Sequence, residues 1–167
     1  MDILWAPWRL QYITGPKPDT CIFCIPEQNA DDADRLILYR GKHSFVLMNK
    51  YPYNSGHLLI APYRHLMDFT LLQQEESSEI VSLLQHCTET LTKCLNAQGM
   101  NIGLNIGEAA GAGIRDHLHF HAVPRWNGDS SFLAVIQDIR TMPQYLSETY
   151  TGLKPYFDRL TVCSAGR

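Results

Sequence analysis

The feature that most constrains this chain is the alternation of histidine and apolar residues in His117-Leu118-His119-Phe120-His121-Ala122. Successive side chains of an extended strand point to opposite faces of a sheet. We therefore expect a strand over 116–124 with three imidazoles on one face, about 7 Å apart, and the apolar residues on the core face. A helix would scatter the same rings, because each residue advances by about 100° around the axis. Pro124 and the polar residues after it are expected to end the strand.

Composition limits the class of protein and its surroundings. The 167 residues suggest one domain with room for a core, and the net charge of −3 argues against general binding to nucleic acid or to anionic membranes. No apolar run approaches the roughly 20 residues that cross a bilayer, and the start lacks the pattern of a secretory signal. The five cysteines are odd in number and scattered. They predict a reducing, cytoplasmic setting rather than a disulfide scaffold.

The apolar pattern predicts an α+β fold with an antiparallel sheet of about five strands. Besides the histidine strand, strands are expected over 35–40, 44–49, 57–62 and 100–106. A long helix is expected over 72–97, where apolar residues recur at helical spacing, and Gly99 is expected to end it. A C-terminal helix is expected over 142–160. Residues 1–18 are interpreted as an N-terminal arm packed on the body, and 163–167 as a loose tail.

The three histidines bring a nucleophile and an acid to one patch, since the pKa of imidazole lies near neutrality. A neutral histidine can attack phosphorus and hold a covalent intermediate. The loop directly before them, 107–113, contains three glycines and three alanines. Its main-chain N–H groups can approach phosphate oxygens and form an anion-binding nest, although a flexible turn is the alternative.

Metal binding is a second interpretation of the same residues. Two histidines at i and i+2 on a strand can share a zinc ion that keeps an open position for water. Cys21-Ile22-Phe23-Cys24 has the spacing of a zinc knuckle, but the chain has no second CxxC. If these cysteines bind zinc, histidines are the natural source of the two missing ligands. A redox pair and two packed thiols are the alternatives.

These motifs together resemble the histidine-triad (HIT) superfamily. The signature alternates histidine with apolar residues over 117–123, and the stretch Asn49 to Pro62, with Pro-x-x-x-Gly-His, is also similar to that family, as is the CxxC. The resemblance covers about 20–126, leaving 1–18 as an arm and about 127–167 as a C-terminal extension of a single domain. Further motifs are similar to the bacterial branch related to diadenosine tetraphosphate phosphorylases, namely Trp5-Ala6-Pro7-Trp8-Arg9, Gly111-Ala112-Gly113, and Val123 to Asp129 with Phe132.

The resemblance implies a role for individual residues. His119 would be the nucleophile that attacks an α-phosphate, while His121 and His57 would line the phosphate site and help to protonate the leaving group. The implied nucleotide-binding residues are Asn49, Asn105, Gly111, Gly113, His117, His119 and His121. A structural zinc would be held by Cys21, Cys24, His65 and His117. The resemblance also implies a homodimer with a continuous sheet, and no organic cofactor is expected.

One departure from the family bears on the substrate. Gly113, Ile114 and Arg115 stand where many relatives have Gln and Ser or Thr, so amides or Arg115 must supply those phosphate contacts. We expect an enzyme that cleaves a nucleoside phosphate anhydride, such as diadenosine tetraphosphate, through a nucleotidyl-histidine, with water or phosphate as acceptor. The alternatives are a non-enzymatic nucleotide-binding or interaction protein, a nucleoside phosphoramidate hydrolase, and a metalloenzyme with zinc on the triad.

Overall fold

The computed structural model describes residues 20–25, 31–114, 116–129 and 145–160. Within these residues five strands form one sheet in the order β1-β2-β3-β5-β4, and every neighbouring pair is antiparallel. The strands are β1 (Ile37–Arg40), β2 (Ser44–Met48), β3 (Leu58–Pro62), β4 (Gly99–Leu104) and β5 (Phe120–Arg125). The helices are α1 (Gln74–Leu95) and α2 (Leu146–Asp158). The expected α+β architecture is confirmed.

Helix α1 begins and ends at residues whose side chains or backbone favour those positions. Gln73 and Glu76 form a reciprocal capping box at its start. At its end Asn96 adopts a left-handed conformation with φ 51°, and its N–H bonds to the carbonyl of Leu91. The prediction that Gly99 ends the helix is therefore wrong, because Asn96 takes the left-handed position and Gly99 begins β4.

Both helices pack on one face of the sheet, and the main core lies between the two layers. Leu153 and Phe157 of α2 are buried in the same cluster as Ile80, Leu83 and Leu91 of α1. The opposite face of the sheet carries a smaller apolar cluster that includes Phe23, Ile37, Phe45, Leu47, Leu59 and Ala61. The residues around Phe23 thus cover the face of the sheet that the helices leave open.

The histidine segment differs from the predicted strand. Strand β5 contains Phe120–Arg125, so His117 and His119 lie in the chain directly before it. Leu118 N–H donates to the carbonyl of Leu66 over 2.7 Å instead of joining the ladder with β3. Pro124 lies within β5 and does not end it. The pairing of β5 with β3 stops at Leu58, opposite Ala122, so no residue of β3 lies opposite Pro124 to accept a hydrogen bond from the N–H that proline lacks.

Some predictions fall outside the described residues. These are the N-terminal arm over 1–18 with Trp5-Ala6-Pro7-Trp8-Arg9, Arg115, Phe132, the first residues of the predicted C-terminal helix over 142–144, and the tail over 163–167. Among the residues that the structure describes, none of the helices has the length and apolar character to cross a membrane.

Candidate active site

His119 lies directly before β5, and its side chain is buried, with 7% exposure. Its Nδ1 lies 2.9 Å from the main-chain oxygen of His117. A carbonyl oxygen only accepts, so Nδ1–H is the donor and the lone pair of the neutral ring is on Nε2. Burial lowers the pKa of His119, while the hydrogen bond to the carbonyl opposes this shift. The ring is therefore neutral near pH 7, with Nε2 as its nucleophilic atom.

Main-chain N–H groups determine which nitrogen of His57 carries its proton. The side chain of His57 is buried directly before β3, and its Nδ1 accepts a hydrogen bond from Tyr53 N–H over 3.1 Å. Asn49 Nδ2 lies 3.2 Å from the same atom, and Asn49 Oδ1 accepts from Tyr51 N–H, which fixes the orientation of the amide. With Nδ1 accepting, the neutral ring carries its proton on Nε2.

The Nε2–H of His57 points at His121. It donates to His121 Nδ1 over 2.9 Å, so neutral His121 carries its own proton on Nε2. The ring of His121 lies 4.9 Å from that of His119 and 5.1 Å from that of His57, measured between centroids. The separation between His119 and His121 is shorter than the predicted spacing of about 7 Å, because His119 precedes the regular strand and the pleat spacing does not apply to it.

Two residues next to His57, Tyr53 and Gly56, were not assigned a role in the sequence analysis. Tyr53 stacks on His57 with ring centroids 4.8 Å apart and contacts His121 at 5.8 Å. An aromatic residue four positions before a histidine, in a loop rich in proline and glycine, was the available signal. Gly56 has φ +77°, and a Cβ there would lie 2.4 Å from Leu95 Cδ1. Only glycine fits immediately before His57.

A cleft of about 330 Å³ lies on the outer face of β4 and β5, beside His121. Asn101, Gly103 and Asn105 line it from the β4 side, and Arg125 lines it from β5. The Arg125 guanidinium binds Asp129 through Nε and Nη2, and its Nη1 donates to Asn101 Oδ1 over 2.7 Å. The cleft is therefore lined by hydrogen-bonding side chains, by a guanidinium that is paired with a carboxylate, and by the imidazole of His121.

The structure brings Cys21, Cys24, His65 and His117 into one cluster, whose ligand atoms all lie within 4.8 Å of one another. Cys21 Sγ is 3.3 Å from His117 Nδ1, and Cys24 Sγ is 3.2 Å from His65 Nδ1. A tetrahedral zinc with bonds of about 2.3 Å to sulfur and about 2.0 Å to nitrogen separates its ligand atoms by about 3.3–3.8 Å. The donor set and the spacing therefore fit a four-coordinate metal ion.

The ring of His117 is oriented for this cluster. Its Nε2–H donates to the carbonyl of Pro62 over 2.9 Å, so Nδ1 carries the lone pair and faces the sulfur atoms. A carbonyl partner of this kind commonly fixes the tautomer of a histidine that binds a metal. His117 therefore belongs to the cysteine cluster through its side chain and to His119 through its carbonyl.

The other predicted nucleotide-binding residues lie in three different places. Asn105 lines the cleft, whereas Asn49 contacts His57. Gly111 and Gly113 are exposed, in the turn that follows the 3₁₀ turn Glu108–Ala110.

Some main-chain N–H groups of the loop over 107–113 form hydrogen bonds within the loop itself. Gly111 N–H donates to the carbonyl of Glu108, and Ala112 N–H donates to that of Gly107. These two amides are therefore engaged within the turn. The phosphate nest expected from this loop would need other N–H groups or a different conformation.

Comparison with known proteins identifies the family to which this fold and site belong. The HIT domain matches residues 30–128, more than half of the chain, and the chain belongs to the HIT domain family. An AP-4-A phosphorylase of Mycobacterium tuberculosis is 35% identical over 154 residues, which cover 87% of this chain and 79% of that protein.

Solved structures agree in fold. A zinc-bound histidine triad family protein from Mycobacterium smegmatis has a TM-score of 0.64 and 27% identity, with coverage of 83% of this chain and 94% of that one. The diadenosine triphosphate hydrolase of Plasmodium falciparum has a TM-score of 0.61 at 22% identity, over 93% of this chain and 97% of that one. At this identity the second likeness concerns the fold alone.

Proposed function

We propose that this protein is an enzyme that cleaves a phosphate anhydride of a dinucleoside polyphosphate through a nucleotidyl-histidine at His119. The observation that carries the proposal is the hydrogen bond from His119 Nδ1–H to the carbonyl of His117, which leaves Nε2 as the atom with the lone pair. The AP-4-A phosphorylase, 35% identical over most of the chain, supports the substrate class.

In the first step, the lone pair of His119 Nε2 attacks the α-phosphorus. The new P–N bond forms while the bond from this phosphorus to the bridging oxygen breaks. The bridging oxygen leaves as part of the nucleoside polyphosphate anion and accepts a hydrogen bond from the Nε2–H of His121, whose Nδ1 accepts from the Nε2–H of His57. The His121 ring lies beside that of His119, so attack on phosphorus and stabilisation of the leaving oxygen can occur around one phosphate.

In the second step, water or inorganic phosphate attacks the same phosphorus and breaks the P–N bond. The electron pair of the P–N bond returns to His119 Nε2, the attacking group releases its proton to solvent, and His119 returns to its neutral starting state. Diadenosine tetraphosphate would give ATP in the first step. The second step would give AMP with water or ADP with phosphate.

We also propose that Cys21, Cys24, His65 and His117 hold a structural zinc ion, which would tie the CxxC segment to the chain before β5. With all four positions filled by side chains, the ion would have no open position for substrate. A catalytic zinc on the triad is disfavoured, because His117 Nδ1 faces the cysteines and His119 Nδ1–H is donated to a carbonyl.

Replacement of a ligand tests this metal assignment. Metal analysis of purified Cys24→Ser protein should show loss of about one zinc per chain. The matched control is Cys94→Ser, since Cys94 lies on α1 and contacts the carbonyl of Gly152. Equal zinc content in both variants and the parent would contradict the assignment.

Three further properties belong to the same proposal. We propose one domain over 1–167, because α2 shares the core of α1 and the sheet. We propose a homodimer with a continuous sheet, since β4 lies at an edge of the sheet and its Ile102 is 49% exposed. We propose a reducing, cytoplasmic location, with which the absence of a disulfide among the described cysteines Cys21, Cys24, Cys87 and Cys94 is consistent.

The decisive experiment for the function is a product assay on diadenosine tetraphosphate with and without inorganic phosphate. ATP plus ADP, formed only with phosphate, identifies phosphorolysis, and AMP plus ATP without phosphate identifies hydrolysis. His119→Asn should abolish turnover and retain nucleotide binding, while His86→Asn on α1 should leave both unchanged. Binding without turnover in the parent protein would instead support a non-enzymatic nucleotide-binding protein.

A further inference from the structure

The CxxC segment places an aromatic ring against His119. Phe23 lies between Cys21 and Cys24, and its side chain is 0% exposed. Its ring centroid is 4.7 Å from that of His119, with 30° between the ring planes, and 5.4 Å from that of His117. The proposed function gives no role to this residue.

Phe23 is held in this position from behind. Its ring belongs to the apolar cluster on the outer face of the sheet, together with Phe45 and Leu59. The segment itself is a tight turn, in which Cys24 N–H donates to the carbonyl of Cys21 and Ile25 N–H to that of Phe23. The ring is therefore wedged between the sheet and the imidazole of His119.

The hydrogen bond from His119 to the carbonyl of His117 fixes one atom of the imidazole but not the plane of the ring. Rotation about an axis through Nδ1 would move Nε2, which lies on the opposite side of the ring. A flat aromatic face 4.7 Å away restricts this rotation by steric contact and dispersion. In a displacement at phosphorus, a shift of the nucleophile by about 1 Å can lower the rate by about 100-fold.

We propose that Phe23 is a positioning residue, whose ring face holds the imidazole of His119 in the plane that directs Nε2 at the α-phosphorus. The proposal rests on the proposed function and deepens it, because it assigns to the CxxC segment an effect on the rate of nucleotidyl transfer. The effect is on orientation, so it acts on kcat and leaves substrate binding nearly unchanged.

The chain offers a matched control for the substitution. Phe45 lies in the same apolar cluster and is also 0% exposed, but its ring stacks on Tyr63 at 5.3 Å. Phe23→Leu and Phe45→Leu each remove one buried aromatic ring from one cluster and replace it with the same aliphatic side chain. Only the first removes the ring that contacts His119.

The test combines kinetics on diadenosine tetraphosphate with NMR of the histidine rings. We expect kcat to fall about 10- to 100-fold in Phe23→Leu with KM changed by less than about 3-fold, and both constants to stay within about 3-fold in Phe45→Leu. The His119 ring signal, identified by its loss in His119→Asn, should move downfield in Phe23→Leu, because the ring current of the stacked phenyl is lost. It should stay in place in Phe45→Leu.

Three results would overturn the proposal. The first is an unchanged kcat in Phe23→Leu, and the second is an equal fall of kcat in Phe45→Leu. The third is a rise of KM in Phe23→Leu with kcat unchanged, which would make Phe23 a substrate contact. If the parent protein turns over the dinucleotide and Phe23→Leu has the same kcat, only the positioning role is refuted. Parent protein without turnover refutes the proposed function itself.

Discussion

Replacing His57 with phenylalanine tests the hydrogen-bond relay that ends at His121. The phenyl ring keeps the size of the buried side chain and can stack on Tyr53 as the imidazole does. It removes the Nδ1 that accepts from Tyr53 N–H and Asn49 Nδ2, and the Nε2–H that donates to His121. The substitution therefore separates the polar role of His57 from its packing.

The size of the effect follows from these contacts. Two N–H donors lose their acceptor, at about 1–3 kcal/mol each. Because Tyr53 and Asn49 are only half-buried, water can reach them and the lower part of this range applies. We expect a loss of about 2–4 kcal/mol in the free energy of unfolding, which lowers Tm by about 6–12 °C in a chain of this size. Loss of support for His121, the proposed hydrogen-bond donor to the leaving oxygen, should lower kcat by about 100-fold.

The assay pairs thermal unfolding followed by circular dichroism with turnover of diadenosine tetraphosphate. The control is His86→Phe, since His86 is half-buried on α1, where its ring contacts Phe157 at 5.2 Å. This control should keep kcat within about 3-fold of the parent. If His57→Phe retained both the Tm and the kcat of the parent, the assignment of donors and acceptors around His57 would be wrong.

Two further predictions concern buried carboxylates of α1. Glu79 accepts from the N–H groups of Lys42 and His43 at 2.8 and 2.7 Å, so Glu79→Ala should lower the free energy of unfolding in urea by about 3 kcal/mol, and a loss below about 1 kcal/mol would contradict this. Hydrogen bonds from Arg64 are the main cause of the pKa of Glu76 lying below its usual range. As the pH falls, Glu76 is therefore protonated in the unfolded chain before it is protonated in the folded protein. The stabilising contribution of Glu76 is therefore present above about pH 4.3 and lost as the pH falls through its folded pKa. Urea unfolding between about pH 6 and pH 3 should show a smaller acid loss in Glu76→Gln, and an identical slope would refute the assignment.

The alternation of the triad predicted correctly that His119 and His121 would lie together beside the sheet. It could not predict that His117 and His119 precede the strand, because that depends on Leu118 N–H bonding to the carbonyl of Leu66. A contact between residues so distant in sequence leaves no trace in local periodicity. The end of α1 has a similar cause, since Asn96 and Gly99 are both suited to a left-handed position and the backbone uses the first.

The spacing of the two cysteines in the CxxC could not by itself identify the ligands of a metal site. The CxxC alone left a redox pair and packed thiols open, and only the resemblance to the HIT superfamily pointed to His65 and His117. Phe23 and Tyr53 were not assigned any role, because their contacts with histidines depend on how the CxxC segment and the loop before β3 fold onto the sheet. The position of Tyr53 four residues before a histidine was a weak signal, whereas an apolar residue such as Phe23 carries no chemical signal of its own in a sequence.

In the proposed mechanism, Nε2 of His119 forms a bond to phosphorus during turnover. Rapid alkaline quench of the enzyme during turnover of diadenosine tetraphosphate labelled at the α-phosphates, followed by peptide mapping of the protein, would detect this bond. We expect label on the peptide that contains His119, appearing within the first turnover and absent in His119→Asn. Full turnover with no label on the protein, or with label on another residue, would contradict it.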